Sequence, residues 1–255
     1  MFTGNDITLF TAVNARNILE ECLMNSPDIR SGALNPLLLE DYPSASIAYS
    51  EAISKSPTEI SIFVHQDIYL PAGWLDGFLS QINDLNLSHP DWAVAGVYGV
   101  CPSGQHVGRL WDVTLGRELG APGFPPTQVE SLDEVLLAVR RTPGLDFDKA
   151  LPRFHLYGTD IVQSARSLGR GAFAVEAPIV HNNRPIGSLA GDYAEAYRFA
   201  RRKWRGRLPI STTICRLTYN PFSLWRAQWR RRRAGERPDG LLADARVVAA
   251  VAGYE

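Results

Sequence analysis

The groups best suited to chemistry stand at the ends of apolar runs. Ile60-Ser-Ile-Phe-Val64 breaks abruptly into His65-Gln66-Asp67, with Pro71 and Gly73 following before an amphipathic pattern begins near Trp74. A buried strand ending in a carboxylate is what an open α/β sheet offers a ligand, because such sites lie outside the carboxyl ends of strands. Asp67 is therefore a candidate for a divalent cation or a phosphate-linked site; the alternative is a carboxylate that only starts the turn before Pro71. Magnesium and manganese both prefer oxygen donors. His181 follows another short apolar run and offers a nitrogen, which suits manganese better than magnesium. Asp160, in Phe154-His-Leu-Tyr-Gly-Thr-Asp160, is a candidate general base, or alternatively a favourable negative charge at a helix start.

The elements that must position these groups are legible from periodicity. Ile7–Val13 reads as a buried first strand, followed by Ile18, Leu19, Cys22 and Leu23 at helical spacing. Asn14, between them, either caps that helix or faces a ligand. Ser44 to Ser56 reads as a helix with Ala45, Ala48, Tyr49 and Ala52 on one face, Ser44 as cap and Pro57 as stop. A second helix spans about 74–86. Trp92 to Val100 reads as one buried strand, 101–128 as a long loop with a hairpin near 106–114, and Val129 to Val139 as another strand. A helix runs from near Thr159 to Gly169, a short strand covers Ala172–Ala177, and a last helix covers 188–204. This order implies an α/β fold with a mostly parallel central sheet flanked by helices.

Composition narrows the function classes. The 255 residues are 45% hydrophobic and 21% charged, ordinary for a globular chain with a sizeable core. The net charge of −1 conceals an asymmetry: residues 198–237 carry 13 Lys or Arg against the single acid Glu236, leaving −13 on the remainder. Cys22, Cys101 and Cys215 lack metal-ligand spacing and read as free thiols of a reducing compartment. There is no run of 18 apolar residues and no signal-peptide pattern, so a cytoplasmic protein is expected, with any membrane contact peripheral at the inner face. Gly-x-Gly-x-x-Gly, the phosphate-loop motif and Gly-x-Ser-x-Gly are all absent, which removes support for a common dinucleotide, ATP or α/β-hydrolase site.

Taken in order, Thr11-Ala-Val-Asn14, the Ser44–Ala52 helix, Phe63-Val-His-Gln-Asp67, Val94-Ala-Gly-Val-Tyr-Gly99, Glu130-Ser-Leu-Asp-Glu134, Phe154–Asp160 and His181-Asn182 resemble a glycosyltransferase of the GT-A fold. The likeness is to the family-2-like group in which His-Gln-Asp stands in place of Asp-x-Asp, and it covers roughly residues 6–205. It implies a nucleotide-diphosphate sugar as donor, UDP- or dTDP-linked, bound by Thr11, Asn14, Arg16, Tyr49, His65, Gln66 and Asp67. It implies a manganese or magnesium ion on Asp67 and His181, and contact of Asp133 and His155 with sugar or acceptor. It also implies Asp160 as the base, since the position two residues earlier, acidic in relatives, is Gly158 here. The expected reaction is an inverting, metal-dependent transfer to a hydroxyl of a glycan or lipid-linked acceptor, in cell-surface polysaccharide or glycolipid synthesis. Asp160→Asn is then expected to abolish transfer while sparing nucleotide binding.

Residues 1–208 are expected to form the transferase-like domain and 209–255 a basic aromatic extension. Trp204, Trp225 and Trp229 interleaved with arginine over 201–237 suit an anionic membrane surface, the alternative being a solvated charged helix; nucleic acid is disfavoured by the acidic body. Two rival functions stand beside the transferase. A nucleotidyltransferase would want a glycine-rich first loop, which Thr11–Arg16 lacks, and a non-catalytic scaffold would explain His65 and Gly158 at normally acidic positions.

Overall fold

The computed structural model describes residues 1–182, 188–233 and 243–255, with the side chains of 231–233 outside the description. Part of the basic stretch 201–237 and of the expected extension 209–255 lies outside the described residues. The first half runs β1 (Ile7–Val13), α1 (Arg16–Glu21), α2 (Pro27–Arg30), β2 (Pro36–Glu40), α3 (Ala45–Lys55), β3 (Ile60–His65), β4 (Ile68–Tyr69), α4 (Trp74–Ser88), β5 (Trp92–Gly96) and β6 (Tyr98–Val100). The second half runs β7 (His106–Asp112), β8 (Arg117–Gly120), β9 (Thr127–Gln128), β10 (Ser131–Leu132), β11 (Leu136–Arg140), α5 (Tyr157–Ser167), β12 (Gly171–Ala174), β13 (Ile179–His181), α6 (Gly191–Lys203), α7 (Ser223–Arg233) and α8 (Ala245–Val251).

Seven strands form the central sheet in the order β2-β1-β3-β11-β5-β12-β9. β2, β1, β3, β5 and β12 point one way, and β11 and β9 run against them. The expected mostly parallel α/β sheet is therefore present, with one antiparallel strand set into its middle. Ile60, Ile62 and Val64 of β3 join Leu19, Ile29, Phe78 and Ile82 on one face. Phe63, on the opposite face, joins Ala48 and Tyr49 of α3, Ile161 of α5 and Ala196 of α6. A strand covered on both faces has to be apolar throughout, which is why Ile60–Val64 lacks alternation. The Ser44 hydroxyl accepts the Ile47 N–H at 3.3 Å and caps α3 as its sequence foretells.

A second sheet, β10-β6-β7-β13-β4 with β8 on β7, stands beside the first. Two expected single strands prove to be double. The run from Trp92 to Val100 divides at Val97 between the central sheet (β5) and the second (β6), and Val129–Val139 divides at Asp133–Val135 into β10 and β11. The expected hairpin near 106–114 is β7–β8. The described part of 209–255 does not stand apart: Ile210, Cys215, Leu217 and Leu224 share a core cluster with α3, α5 and α6, and Ala245 and Ala249 pack with Tyr69 and Val180.

Candidate functional site

The carboxyl ends of β1, β2 and β3 open on one edge of the central sheet. β1 is followed in space by β2 on one side and β3 on the other, so the strand order reverses between β1 and β3, and a crevice at such a point is where open α/β sheets bind ligands. A cavity of about 390 Å³ lies there, lined by Asn14 beyond β1, Asp41 and Tyr42 beyond β2, Tyr49 of α3, and His65, Gln66 and Asp67 at the end of β3. A second cavity of about 420 Å³ adjoins it, and His65, Asp67 and Phe154 line both. Its wall also includes Asp112, Asp133, Glu134, His155, His181 and Tyr193.

Between the cavities His65, Asp67 and His181 bring one donor atom each to within 4.8 Å of the others. β13 pairs antiparallel with β4, placing His181 opposite Ile68, and the Asn182 N–H donates to the Asp67 carbonyl at 2.9 Å. His181 Nε2 thereby stands 3.5 Å from Asp67 Oδ2, and His65 Nδ1 3.8 Å from Asp67 Oδ1. Burial would push the Asp67 carboxyl up, but the charge and hydrogen bond of His181, joined by His65, hold it down at about 2. Burial draws His181 down, and Asp67 and Asp112 more than reverse that; burial and the neighbouring His181 cation lower His65. Asp67 Oδ1 is buried without a hydrogen-bond partner. A carboxylate between two imidazoles, with one oxygen buried and unpartnered, is a donor set that fits a divalent transition-metal cation.

Tyr157 orients the first of these side chains. Its hydroxyl donates to the Glu134 carbonyl at 3.3 Å and lies 2.6 Å from His65 Nε2. The short bond to Nε2 holds the imidazole with its Nδ1 edge toward Asp67. Tyr157 follows Leu156, whose φ of 63° is a left-handed conformation unusual for leucine. Asp41, on the other cavity, also has a positive φ of 62°. Non-glycine residues held this way concentrate at ligand sites.

The residues expected from sequence fall into two groups. Asn14, Tyr49, His65, Gln66, Asp67, Asp133, His155 and His181 all line one or both cavities. Gln66 bridges the two strand ends, accepting from the Asn14 and Ala15 N–H groups at 3.0 and 3.1 Å through Oε1 and donating to the Asn14 side chain. Asn14 is thus tied to β3 and does not cap α1, whose N-cap is Ala15. Thr11, Arg16 and Asp160 stand outside both cavity linings. Thr11 is fully buried within β1, because Asn14 and not Thr11 occupies the strand end. Arg16 turns outward to pair with Glu40 at 3.0 Å.

Asp160 is 1% exposed, and its two oxygens accept from Lys203 Nζ at 2.8 Å and Trp204 Nε1 at 2.7 Å. It sits one turn inside α5, facing the end of α6 rather than the cavity. Burial pushes its carboxyl up against the pull of Lys203 and Trp204.

Glu134 lines the larger cavity and was not singled out by its sequence context. Burial pushes its carboxyl up to about 8, with the Asp133 carboxylate adding to the effect. Its only sequence signal is the Asp133-Glu134 doublet interrupting an apolar run.

No family model matches the chain. A curated Fuscovulum blasticum protein named ATP synthase subunits region ORF 6 is 30% identical over 151 residues, covering 54% of this chain. The chain spans 59% of that relative's length. Among solved structures, the mannosyltransferase PcManGT from Pyrobaculum calidifontis in complex with GDP-Man and Mn2+ aligns over 98% of this chain and 80% of its own, at 13% identity and a TM-score of 0.46. TarS from S. aureus aligns over 78% of this chain and 65% of its own, also at 13% identity and a TM-score of 0.46.

Proposed function

We propose that this protein is a divalent-cation-dependent glycosyltransferase with a GT-A-type architecture, moving a sugar from a nucleoside-diphosphate donor to a hydroxyl acceptor. The observation that carries this reading is the His65–Asp67–His181 cluster at the junction of two cavities. A reaction whose leaving group is a diphosphate needs its developing charge neutralised, and a cation between two adjoining cavities, one for the nucleotide and one for the sugar, is where that leaving group would form. Asp67 and His181, with His65 as a third donor, would hold manganese. The bound cation would act there as a Lewis acid on the diphosphate.

The smaller cavity, with Asn14, Asp41, Tyr49 and Gln66, suits a uridine or thymidine nucleotide. The larger one, with Asp133, His155 and Tyr193, suits the sugar and the acceptor hydroxyl of a glycan or lipid-linked molecule. Direct displacement on the donor would invert the anomeric centre. Exposed aromatic and arginine side chains on α7 support attachment to the cytoplasmic face of an anionic membrane, consistent with polysaccharide or glycolipid synthesis. Among the described residues no helix is long and apolar enough to cross a membrane.

The test is a panel of UDP-, dTDP- and GDP-sugars, with and without manganese, read by thermal shift and by nucleotide products. A shift that needs both ligands, with release of nucleoside diphosphate, is expected. Pyrophosphate as the product would indicate a nucleotidyltransferase, and no response to any donor would indicate a scaffold.

A further inference from the structure

We propose that Glu134 is the catalytic base of this chain, the group that takes the acceptor's proton as the new glycosidic bond forms. The inference rests on the glycosyl-transfer reading above and adds a residue to it. Transfer to a hydroxyl requires a proton acceptor beside the reacting oxygen, and among the described residues the carboxylates lining the larger cavity are Asp67, Asp112, Asp133 and Glu134. Asp67 belongs to the cation cluster, and Asp112 Oδ1 accepts the Leu115 N–H at 2.8 Å while Oδ2 stands 3.9 Å from His181. Asp133 turns back on its own connection, where Oδ1 accepts the Val135 N–H at 3.3 Å. Glu134 remains.

The fold holds Glu134 next to the cluster without using it as a ligand. β11 lies antiparallel to β3 with Leu136 opposite Val64, and the His65 N–H donates to the Val135 carbonyl at 3.1 Å. The chain before β11 therefore runs alongside the His65–Asp67 turn. From α5 the Gly158 N–H donates to Glu134 Oε1 at 3.3 Å. A Cβ built on Gly158 would lie 2.6 Å from the Leu132 carbonyl oxygen and 3.3 Å from both Cγ and Oε1 of Glu134. Glycine at 158 thus lets the helix start lie against the β10–β11 connection at Leu132, with the Glu134 carboxylate resting on its backbone.

The groups facing Glu134 are Asp133 beside it, Tyr157 and the Gly158 N–H from α5, Tyr49 from α3 and Tyr193 from α6. None is a cation, and burial among them raises the proton affinity that a base requires. In the step, the acceptor oxygen bonds to the anomeric carbon and the bond from that carbon to the diphosphate oxygen breaks. The electron pair leaves on the diphosphate, and the acceptor's proton passes to Glu134, to be lost later to water.

The experiment uses the full chain with Mn2+ and the donor panel of UDP-glucose, dTDP-glucose and GDP-mannose, water serving as acceptor and nucleoside diphosphate release as the readout. Glu134→Gln is expected to lower the rate by about 10²–10⁴-fold while keeping the wild-type thermal shift with Mn2+. Glu134→Asp is expected to recover part of the rate. The wild-type rate should climb with pH as Glu134 ionises, and this limb should be missing from the Gln variant. A Gln variant with the wild-type rate, or one retaining the limb, would remove Glu134 from the chemistry and leave the transferase reading intact. Should Glu134→Gln not fold, an Asp variant whose limb is unmoved would count equally against it. A wild-type chain that releases no diphosphate from any donor would defeat the transferase reading, and the role of Glu134 with it.

Discussion

His181 Nε2 stands 3.5 Å from Asp67 Oδ2, although the two residues belong to distant parts of the chain. Their meeting is a consequence of backbone pairing: β4 begins one residue after Asp67, β13 ends at His181, and the two short strands are antiparallel neighbours. The meeting of Asp67 and His181 is therefore set by strand register.

Manganese should bind the wild-type chain and fail to bind Asp67→Asn. Tyr157→Phe should weaken it by about 10–100-fold, the range seen when a partner that orients a ligand is removed. Phenylalanine keeps the ring among Tyr49, Phe147 and His65 and deletes only the hydroxyl bonded to His65 Nε2. Titration by electron paramagnetic resonance gives both affinities. Equal affinity in the Phe variant would show that Tyr157 does not orient His65.

Asp160→Asn should behave as a stability variant. The carboxylate is buried and accepts from Lys203 and Trp204, so neutralising it weakens two charge-assisted bonds, at a cost of about 1–3 kcal/mol. Lys203 keeps Asp148 at 2.7 Å, which limits the loss. Turnover per folded molecule should stay near wild type while the melting temperature falls. A drop in kcat of a hundredfold or more at unchanged melting temperature would restore the role that sequence reading gives Asp160.

That contrast marks the boundary of what the sequence makes legible. Local signals sufficed for β1, for α3 with its Ser44 cap, and for the abrupt end of β3 at His65-Gln66-Asp67, because each is a change of periodicity or polarity along a few residues. The identity of Asp160 as a helix-start acid was also local. Its partners Lys203 and Trp204 come from the end of α6, and nothing near Asp160 announces them. The same limit hid the break at Val97, since an apolar run reads alike whether its strands share a sheet or divide between two. It hides Glu134 as well: Val129–Val139 reads as one strand, and the interruption at Asp133–Val135 is what brings the acids to the cavity.

Glu134 should also leave a mark on stability. Its folded carboxyl titrates near 8, well above the 4.5 of a free glutamate, so the folded state binds more protons than the unfolded state between those values. Stability contributed by the protonated form is complete below about pH 4.5 and is lost as pH rises through 8. Glutamine stays neutral throughout, so Glu134→Gln should be more thermostable than wild type at pH 8.5 and closest to it near pH 5. For a chain of this size each kcal/mol corresponds to about 2–4 °C. Parallel melting curves for the two proteins from pH 5 to 8.5 would show that Glu134 titrates normally. Gly158→Ala should destabilise at every pH, by about 1–3 kcal/mol, because its Cβ meets the Leu132 carbonyl, a backbone atom that cannot rotate away.

Membrane attachment is best tested on α7 by substitution. Truncation after Leu208 would remove Ile210, Leu217 and Leu224 from the main core and Ala245 and Ala249 from the cluster over β13, so loss of binding would be inseparable from unfolding. Phe222 and Trp225, 62% and 60% exposed, lie one turn apart at the start of the helix, and Trp229 continues the same face one turn further on. Arg226 and Arg230 are exposed beside them, while Leu224 points inward. Rings at headgroup depth with guanidiniums on lipid phosphate are the arrangement of an interfacial helix. Each cation near an anionic surface adds about 1 kcal/mol. Vesicles containing phosphatidylserine should therefore sediment the wild-type chain, less so at high salt, and phosphatidylcholine vesicles should not. Phe222→Ala with Trp225→Ala should lower binding at least tenfold and leave the melting temperature unchanged, since neither ring is in the core. Wild-type sedimentation of that double variant would assign α7 to solvent.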